Sequence, residues 1–305
     1  MRYFFIINCR KDKAAIREEV EAQLAELRNE IEQRGDSITT YLTTGEGDAT
    51  REVRLYSDLH PNEEVCFIAC GGDGTVNEVA SGIVGFKKKS MAILVFHSNC
   101  DFIKYYPGRC FTSVREIIDG EDIQIDIIKI NDSYAINYCG IGFDAVVAST
   151  ANSLAAEGKK NVFRKGIIRG ILTGRFTKAR IIADGEKIGR RRLLLCTLAN
   201  GRYCGGEFLV APRAQNNDGL IDLCFIRPIL LLTFALIIPI YKRGEHLDHK
   251  HYSKKFIYRQ TKNIVVTAKN TIELCLDGEI LPGTRFNIEI LPNEITLRLP
   301  SLQNE

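Results

Sequence analysis

The sequence predicts an α/β fold, in which an N-terminal domain built on a parallel sheet is followed by an antiparallel β-sandwich domain. Apolar, strand-like runs alternate with helical segments over residues 1–121, which is typical of a parallel sheet with right-handed crossovers. Over residues 122–291, short strand-like segments follow one another with turn residues between them, as in an antiparallel sandwich. The 305 residues are enough for two separate cores.

Four strand-like runs define the first domain, at residues 3–8, 37–43, 65–70 and 91–96. Helices are expected over residues 12–34 and 49–58, and Asp48 is expected to cap the second of them. Ligands of such sheets bind at the carboxyl ends of the strands, so the residues after each strand are the first candidates for a site.

The loop after the third run, residues 71–74, carries most of the chemical information. It holds three glycines and one acid, Asp73, and Thr75 and Glu78 follow at the spacing of a capping box. A strand, a glycine turn and a helix start bring free backbone N–H groups to one point, which favours a phosphate. A carboxylate among such groups requires a cation, for example Mg²⁺, between it and the phosphate. The alternative is a tight turn whose glycines only allow positive φ.

Five segments together resemble a known family. They are GGDGTVNEV from Gly71, N-x-x-G-x-G-x-D from Asn137 to Asp144, ANG…GG…AP-x-A from Ala199, NDGLID from Asn217 and DGE from Asp277. In this order they resemble the diacylglycerol kinase catalytic-domain family, which is related to sphingosine and ceramide kinases. The resemblance implies a nucleotide-binding α/β domain and a β-sandwich domain with the active site in the cleft between them. It also implies that the segment at about 292–305 returns to the first domain.

The resemblance further implies a lipid kinase that uses Mg²⁺ to transfer the γ-phosphate of ATP to the hydroxyl of diacylglycerol or a sphingoid-like lipid. The implied catalytic residues are Asp73, Asp101, Glu279 and, as general base, Asp277. The implied nucleotide-binding residues are Asn8, Thr44, Gly71, Gly72, Gly74, Thr75 and Ser98. A second, structural divalent-metal site is implied at Gln215, Asp218 and Leu220. Taken alone, Asp277-Gly278 also fits a type I′ hairpin turn, and Asn8 also fits a turn residue at a strand end.

Two loops depart from the family pattern. Residues 97–100 read His-Ser-Asn-Cys where relatives have a glycine turn, and residues 9–11 read Cys-Arg-Lys where relatives have Pro-Ser-Gly. A nucleotide- or lipid-binding pseudokinase is therefore an alternative to an active kinase. Arg10, Lys11 and Lys13 are candidates for replacement phosphate contacts. An NAD kinase-like enzyme is a further alternative, because a GGDGT loop occurs there too, but the NDGLID segment argues against it.

Bulk properties limit the partners. The net charge of +3 gives no indication of nucleic-acid binding. The ten cysteines form no CxxC pair, which favours the reducing cytoplasm. Edge strands in the second domain leave a homodimer open as an alternative to a monomer.

Two segments bear on membranes. Residues 159–180 contain no acid, which indicates either a solvated basic face or peripheral docking to anionic lipid. The longest apolar run, FIRPILLLTFALIIPIY at 225–241, is too short and too interrupted to span a bilayer. It is expected to be either a helix buried against a sheet or a surface lip that contacts a bilayer.

Overall fold

The computed structural model of the chain describes residues 1–8, 14–96, 100–157, 159, 162–173 and 176–302. The chain divides into two compact units, of which the first is Met1–Ile125 with Asn293–Glu305 and the second is Asp126–Pro292. Residues 97–99 of the predicted turn at 97–100, with Ser98, lie outside the described residues, as do the basic residues Arg10, Lys11 and Lys13.

The first unit is an α/β layer. In chain order its elements are β1 (Arg2–Asn8), α1 (Ala14–Gln33), β2 (Ser37–Thr43), α2 (Asp48–Leu59), β3 (Val65–Cys70), α3 (Asp73–Ile83), β4 (Lys89–Leu94), a 3₁₀ turn (Phe102–Tyr105), α4 (Val114–Ile118) and β5 (Glu121–Ile130), which continues into the second unit. The sheet order is β4-β3-β1-β2, and each neighbouring pair is parallel.

The parallel sheet aligns the carboxyl ends of its strands. Asn8 pairs with Thr43 at the ends of β1 and β2, and Ile7 pairs with Cys70 at the end of β3. All six residues of β3 are buried, as expected for an apolar strand that is covered on both faces. The residues that follow these strands therefore meet at one edge of the sheet.

The second unit is mainly antiparallel. Its elements are β6 (Ser133–Ala135), β7 (Tyr138–Gly142), α5 (Phe143–Ala156), α6 (Val162–Thr173), β8 (Thr177–Lys178), β9 (Arg180–Ala183), β10 (Glu186–Ile188), β11 (Arg192–Leu193), β12 (Leu195–Ala199), β13 (Tyr203–Cys204), β14 (Phe208–Leu209), β15 (Ile221–Ile226), α7 (Leu231–Lys242), 3₁₀ turns (Glu245–Leu247 and Ser253–Lys255), β16 (Phe256–Thr261), β17 (Asn263–Leu276) and β18 (Glu279–Leu299). Its main sheet has the order β16-β15-β12-β7-β17-β18.

The predicted fold class is confirmed, but several elements differ from the expectation. Helices α5 and α6 occupy residues for which no helix was predicted. Strand β17 is continuous through residue 270, with an irregularity between Thr267 and Ile272. The last strand, β18, has 21 residues, and Thr296–Arg298 pair in parallel with Ser90–Ala92 of β4. The part of the chain that the structure describes contains no helix long and apolar enough to cross a membrane.

Candidate functional site

The glycine loop joins β3 directly to α3. Gly72 is the N-cap residue in an extended conformation, and the helix begins at Asp73. None of the three glycines of the loop has a positive φ, so the interpretation that they only allow positive φ is wrong. Gly71 is required by space instead, because a Cβ atom at this position would lie 2.5 Å from Thr75 Oγ1. At Gly74 an added Cβ would meet nothing within 4 Å, so the start of the helix is open on that side.

The predicted capping box is wrong, and its two residues have other partners. Thr75 lies inside the helix, and its Oγ1 accepts a hydrogen bond of 2.8 Å from Asn8 Nδ2. The Glu78 carboxylate accepts from the backbone N–H groups of Gly47 and Ala49, at 3.0 Å each. Glu78 therefore offsets the positive end of α2 rather than capping its own helix.

The predicted N-cap role of Asp48 is also wrong, because Gly47 is the N-cap residue of α2 and Asp48 is the first residue of the helix. The Asp48 carboxylate accepts from Thr44, at 2.6 Å from its N–H and 2.8 Å from its hydroxyl. The N–H group of Thr44 is the main cause that lowers the pKa of Asp48 from its ordinary value. Asp48 thus fixes the loop that carries Thr44.

These contacts shape a polar hollow of about 350 Å³, counted out to solvent, at the carboxyl edge of the parallel sheet. It is lined by Asn8, Thr43, Thr44, Gly45, Ala49, Thr75 and Glu78. Three residues of the predicted nucleotide set, Asn8, Thr44 and Thr75, are therefore brought together. Hydroxyl and amide groups in such a concave site suit a ligand that both donates and accepts hydrogen bonds.

Asp73 and Asp101 form a close pair at the start of α3. Asp73 Oδ1 accepts a hydrogen bond of 2.8 Å from the backbone N–H of Asp101. Burial, followed by the negative charge of Asp101, raises the pKa of Asp73 to about 6. Lys104 Nζ lies 2.5 Å from Asp101 Oδ1 and balances one of the two charges. Asp73 and Asp101 are thus neighbouring carboxylates, and the ionised form of Asp73 is destabilised. Such a pair of oxygen ligands fits Mg²⁺.

In the second unit, Asp277 and Gly278 form the two-residue turn between β17 and β18. Both have positive φ, 46° and 98°, and the flanking residues Leu276 and Glu279 pair directly. The hairpin interpretation of Asp-Gly therefore describes the backbone here. Asp277 therefore lies in the turn itself, and Glu279 is the first residue of β18.

The Asp277 carboxylate is buried and accepts three backbone hydrogen bonds. Its Oδ2 accepts from the N–H groups of Ile136 and Asn137 at 2.8 and 3.2 Å, and its Oδ1 accepts from Tyr138 at 2.8 Å. These N–H groups stabilise the negative charge. Asp277 thus holds the start of β7 against the hairpin.

The predicted structural metal site lies in the loop before β15. Asp218 Oδ1 accepts a hydrogen bond of 3.0 Å from the N–H of Leu220, and burial, with a further contribution from Asp126, raises the pKa of Asp218. Among the described residues, no three His, Cys, Asp or Glu side chains form a metal-binding group. A cation here would therefore depend on the Asp218 carboxylate and backbone oxygens, including those of Gln215 and Leu220.

The second unit also contains an apolar pocket of about 700 Å³, counted out to solvent. It is lined by Tyr138, Phe143, Asp144, Val147, Ala148, Leu194, Leu195, Cys204, Phe208, Val210, Ile226, Ile229, Phe234, Ile237, Ile238 and Tyr241. Asp144 supplies the one carboxylate of this lining, and Thr197 Oγ1 donates to its Oδ2 at 3.2 Å. Burial raises the pKa of Asp144 to about 6. Gly140 makes room for Asp144, because a Cβ there would lie 2.7 Å from the Asp144 Cβ.

Two acids were missed as candidate site residues. Asp144 belongs to the quoted N-x-x-G-x-G-x-D segment, and an acid just after two glycines was a usable signal. Asp126 is fully buried and accepts a hydrogen bond of 2.7 Å from Gly219 N–H, so it fixes the loop of the predicted metal site. Its only sequence signal is a lone acid within the apolar run IQIDIIKI.

The chain is similar to known kinases over most of its length. Residues 2–130 match the family model "Diacylglycerol kinase catalytic domain", and residues 137–299 match "YegS C-terminal NAD kinase beta sandwich-like domain". A Bacillus subtilis protein named "Diacylglycerol kinase" is 29% identical over 89% of this chain and 90% of its own length. A Yersinia enterocolitica protein named "Probable lipid kinase YegS-like" is 31% identical over 92% of this chain and 94% of its own.

The fold has solved counterparts as well. The crystal structure of a diacylglycerol kinase from Bacillus anthracis str. Sterne superposes with a TM-score of 0.69 at 19% identity. The superposition covers 98% of this chain and 96% of the Bacillus anthracis chain. At this level of identity the likeness concerns the fold.

Proposed function

The chain belongs to the diacylglycerol kinase catalytic-domain family with a YegS-type C-terminal domain, and we propose that it is an active lipid kinase. In this proposal it transfers the γ-phosphate of ATP to the hydroxyl of diacylglycerol or a sphingoid-like lipid, with Mg²⁺. The observation that carries the proposal is the carboxyl edge of the parallel sheet, where Asn8, Thr44 and Thr75 line one hollow and Asp73 begins the helix that holds Thr75.

In our proposal this hollow receives the nucleoside part of ATP. Its hydroxyl and amide groups match the mixed donors and acceptors of a ribose and a base. The phosphates would follow the open start of α3, where Gly74 leaves space for a close backbone approach. This arrangement gives Gly71 and Gly74 separate tasks, since Gly71 accommodates Thr75 and Gly74 faces the ligand.

Asp73 and Asp101 would hold the Mg²⁺ ion. Bound there, Mg²⁺ would neutralise phosphate charge during transfer. Asp101 keeps its orientation through Lys104, and Asp73 keeps its own through the Asp101 N–H. The raised pKa of Asp73 supports this assignment, because a group poised near neutrality at a site is a functional candidate.

The apolar pocket supports a lipid acceptor. Acyl or sphingoid chains bind by burial of apolar surface, and a pocket lined almost wholly by apolar side chains provides it. In our proposal Asp144, which is held by the Thr197 hydroxyl, accepts a hydrogen bond from the polar part of the lipid. The assignment of Asp277 as the proton acceptor stays a hypothesis. The three hydrogen bonds that its carboxylate accepts from backbone N–H groups favour a positioning role, because one of them fixes Tyr138, a residue of the pocket wall.

A transfer assay tests the proposal. Purified protein with labelled ATP and Mg²⁺ is given mixed micelles that contain diacylglycerol, sphingosine or no acceptor lipid, and a parallel reaction contains NAD. We expect labelled phospholipid only with an acceptor lipid, loss of the product in Asp73→Asn, and full activity in Asp58→Asn, an exposed acid on α2. Labelled NADP, or thermal protection by ATP without transfer to any lipid, would overturn the proposal.

A further inference from the structure

Helix α7 is apolar around almost its whole circumference, yet only one of its faces is buried. Of its twelve residues, LLTFALIIPIYK, only Thr233 and Lys242 are not apolar or aromatic. Phe234, Ile237 and Tyr241 are buried against the second unit. A helix of a folded protein with this composition is normally covered on all sides.

The opposite face is exposed to solvent. Leu232, Ala235, Leu236 and Pro239 follow one another at the i, i+3, i+4, i+7 spacing of a helical face, and all four are exposed. Leu232 and Leu236 are 82% and 61% exposed, and Leu230, just before the helix, is 79% exposed. We call these five residues the leucine stripe. A contiguous exposed apolar stripe of this kind marks an interaction surface.

The same helix forms a wall of the apolar pocket. Phe234, Ile237 and Ile238 line the pocket, while the leucine stripe lies on the outer side of the helix. One element thus separates an apolar interior from an apolar exterior. An apolar ligand that reaches the pocket from a bilayer would meet apolar surface on both sides of α7.

The charges near the helix fit a lipid surface better than a basic or acidic protein partner. Residues 225–243 contain three cations and no acid. Two of the cations are already paired, Lys242 with Glu207 and Arg243 with Glu245. Little free charge remains to attract an oppositely charged partner, so burial of the leucine stripe supplies most of the attraction.

We propose that α7 docks the protein on a lipid bilayer by insertion of the leucine stripe into the acyl region. The helix is too short to span the membrane, so it lies in the interfacial plane. This inference deepens the proposed function and rests on it, since it makes α7 the boundary between the bilayer and the pocket that would receive the lipid.

A single tryptophan reports the insertion directly, because the chain has no Trp. Leu232→Trp is mixed with vesicles of phosphatidylcholine, alone or with phosphatidylglycerol, and Leu59→Trp at an exposed position of α2 serves as the matched control. We expect a blue-shifted emission and quenching by brominated lipid for position 232 only. A blue shift that grows with protein concentration in the absence of vesicles would assign the stripe to a second copy of the chain and overturn the proposal.

Two further measurements define the interaction. In the double variant Leu232→Asp/Leu236→Asp, the partition coefficient for vesicles is expected to fall about a hundredfold, since burial of each leucine raises this coefficient about tenfold. Phosphatidylglycerol is expected to change the partition of the unmodified protein less than about tenfold, because two of the three cations are paired. Unchanged partition in the double variant, or binding only to anionic vesicles, would contradict insertion.

Activity distinguishes failure of docking from failure of the proposed function. The double variant should lose phosphorylation of long-chain diacylglycerol in vesicles and retain phosphorylation of a dispersed short-chain diacylglycerol. If the unmodified protein phosphorylates neither lipid but the indole of Leu232→Trp still inserts, the kinase proposal fails and the docking proposal stands. If the unmodified protein phosphorylates both lipids but the indole of Leu232→Trp stays in water, the docking proposal fails and the kinase proposal stands.

Discussion

The backbone N–H of Asp101 donates a hydrogen bond to Asp73 Oδ1 over 2.8 Å, so two acidic residues meet at the start of α3. Asp73 accepts hydrogen bonds from the backbone N–H groups of Asp101 and Phe102 and from the Cys100 side chain, but these do not offset its burial and the nearby charge of Asp101, and the pKa of Asp73 rises to about 6. The ionised form of this carboxylate therefore weakens the folded protein at neutral pH. Such a cost is typical of a residue kept for function.

We expect Asp73→Asn to raise the free energy of unfolding and to abolish phosphate transfer. Asn retains an oxygen acceptor for the Asp101 N–H and carries no charge. One pKa unit corresponds to about 1.4 kcal/mol, and because solvent reaches part of the side chain, the gain should be on the order of 1–2 kcal/mol at pH 7. Urea unfolding and the transfer assay measure the two effects, with Asp58→Asn as control. A destabilised Asp73→Asn would show that the carboxylate is structural.

Asp144 gives a pH dependence with a definite sign. Its pKa in the folded state is raised from 3.8 to about 6, so the folded state binds the proton more tightly than the unfolded chain. The resulting stabilisation is fully present below about pH 4 and is lost as the pH rises through about 6. Asp144→Asn mimics the protonated form, so its advantage in unfolding free energy should be near zero at pH 4 and on the order of 1–2 kcal/mol at pH 7.

Thermal unfolding of both proteins across this pH range measures the difference. Asp132→Asn, an exposed acid on the turn after β5, should follow the unmodified protein at every pH. A constant difference for Asp144→Asn, independent of pH, would mean that the change acts through packing rather than through titration.

Local sequence predicted the strands, helices and glycine loop of the first unit because each is encoded within a short window. The apolar run of β3 and the glycines after it needed no distant partner. The capping assignments failed for a physical reason. Glu78 accepts hydrogen bonds from Gly47 and Ala49, which are 31 and 29 residues away in the sequence. A rule based on residue spacing within one helix cannot predict such distant partners.

The second unit was harder to predict because its site residues acquire their roles from strand pairing. Asp277 is fixed by Ile136, Asn137 and Tyr138 only once β17 lies beside β7. Helix α5 is rich in alanine and begins directly after β7, so neither turn residues nor a clear apolar face marked it. The apolar pocket combines residues of α5, β12, β15 and α7, which no single segment reveals.

Asp277→Asn distinguishes a positioning role from proton transfer. The Asn amide group would place an N–H donor against one or two backbone N–H groups, and a buried unsatisfied donor costs about 1–3 kcal/mol. We expect this loss in urea unfolding, together with a higher KM for lipid, since Tyr138 of the pocket wall moves. The pH profile of kcat should keep its shape. A stable variant with a normal KM and a kcat reduced more than about a hundredfold would identify Asp277 as the proton acceptor instead.

The two ends of the glycine loop provide a matched pair of alanine substitutions. In Gly71→Ala the new Cβ would lie 2.5 Å from Thr75 Oγ1, so Thr75 must move and its bond with Asn8 is strained. Overpacking of this kind costs about 1–3 kcal/mol. In Gly74→Ala the new Cβ projects from α3 into open space. Glycine is less favourable than alanine in a helix, so this substitution is expected to stabilise the protein by up to about 1 kcal/mol.

Stability and nucleotide binding should therefore separate in this pair. Gly71→Ala is expected to lose both, because Thr75 lines the hollow. Gly74→Ala is expected to be as stable as the unmodified protein or more so, yet to bind Mg²⁺·ATP more weakly by about tenfold or more, since a methyl group would occupy the approach of the phosphates to the backbone. Calorimetric titration with Mg²⁺·ATP and thermal unfolding measure the two quantities. Normal ATP binding by a stable Gly74→Ala protein would show that the phosphates do not bind at the start of α3. The role of the glycine loop would then be purely structural.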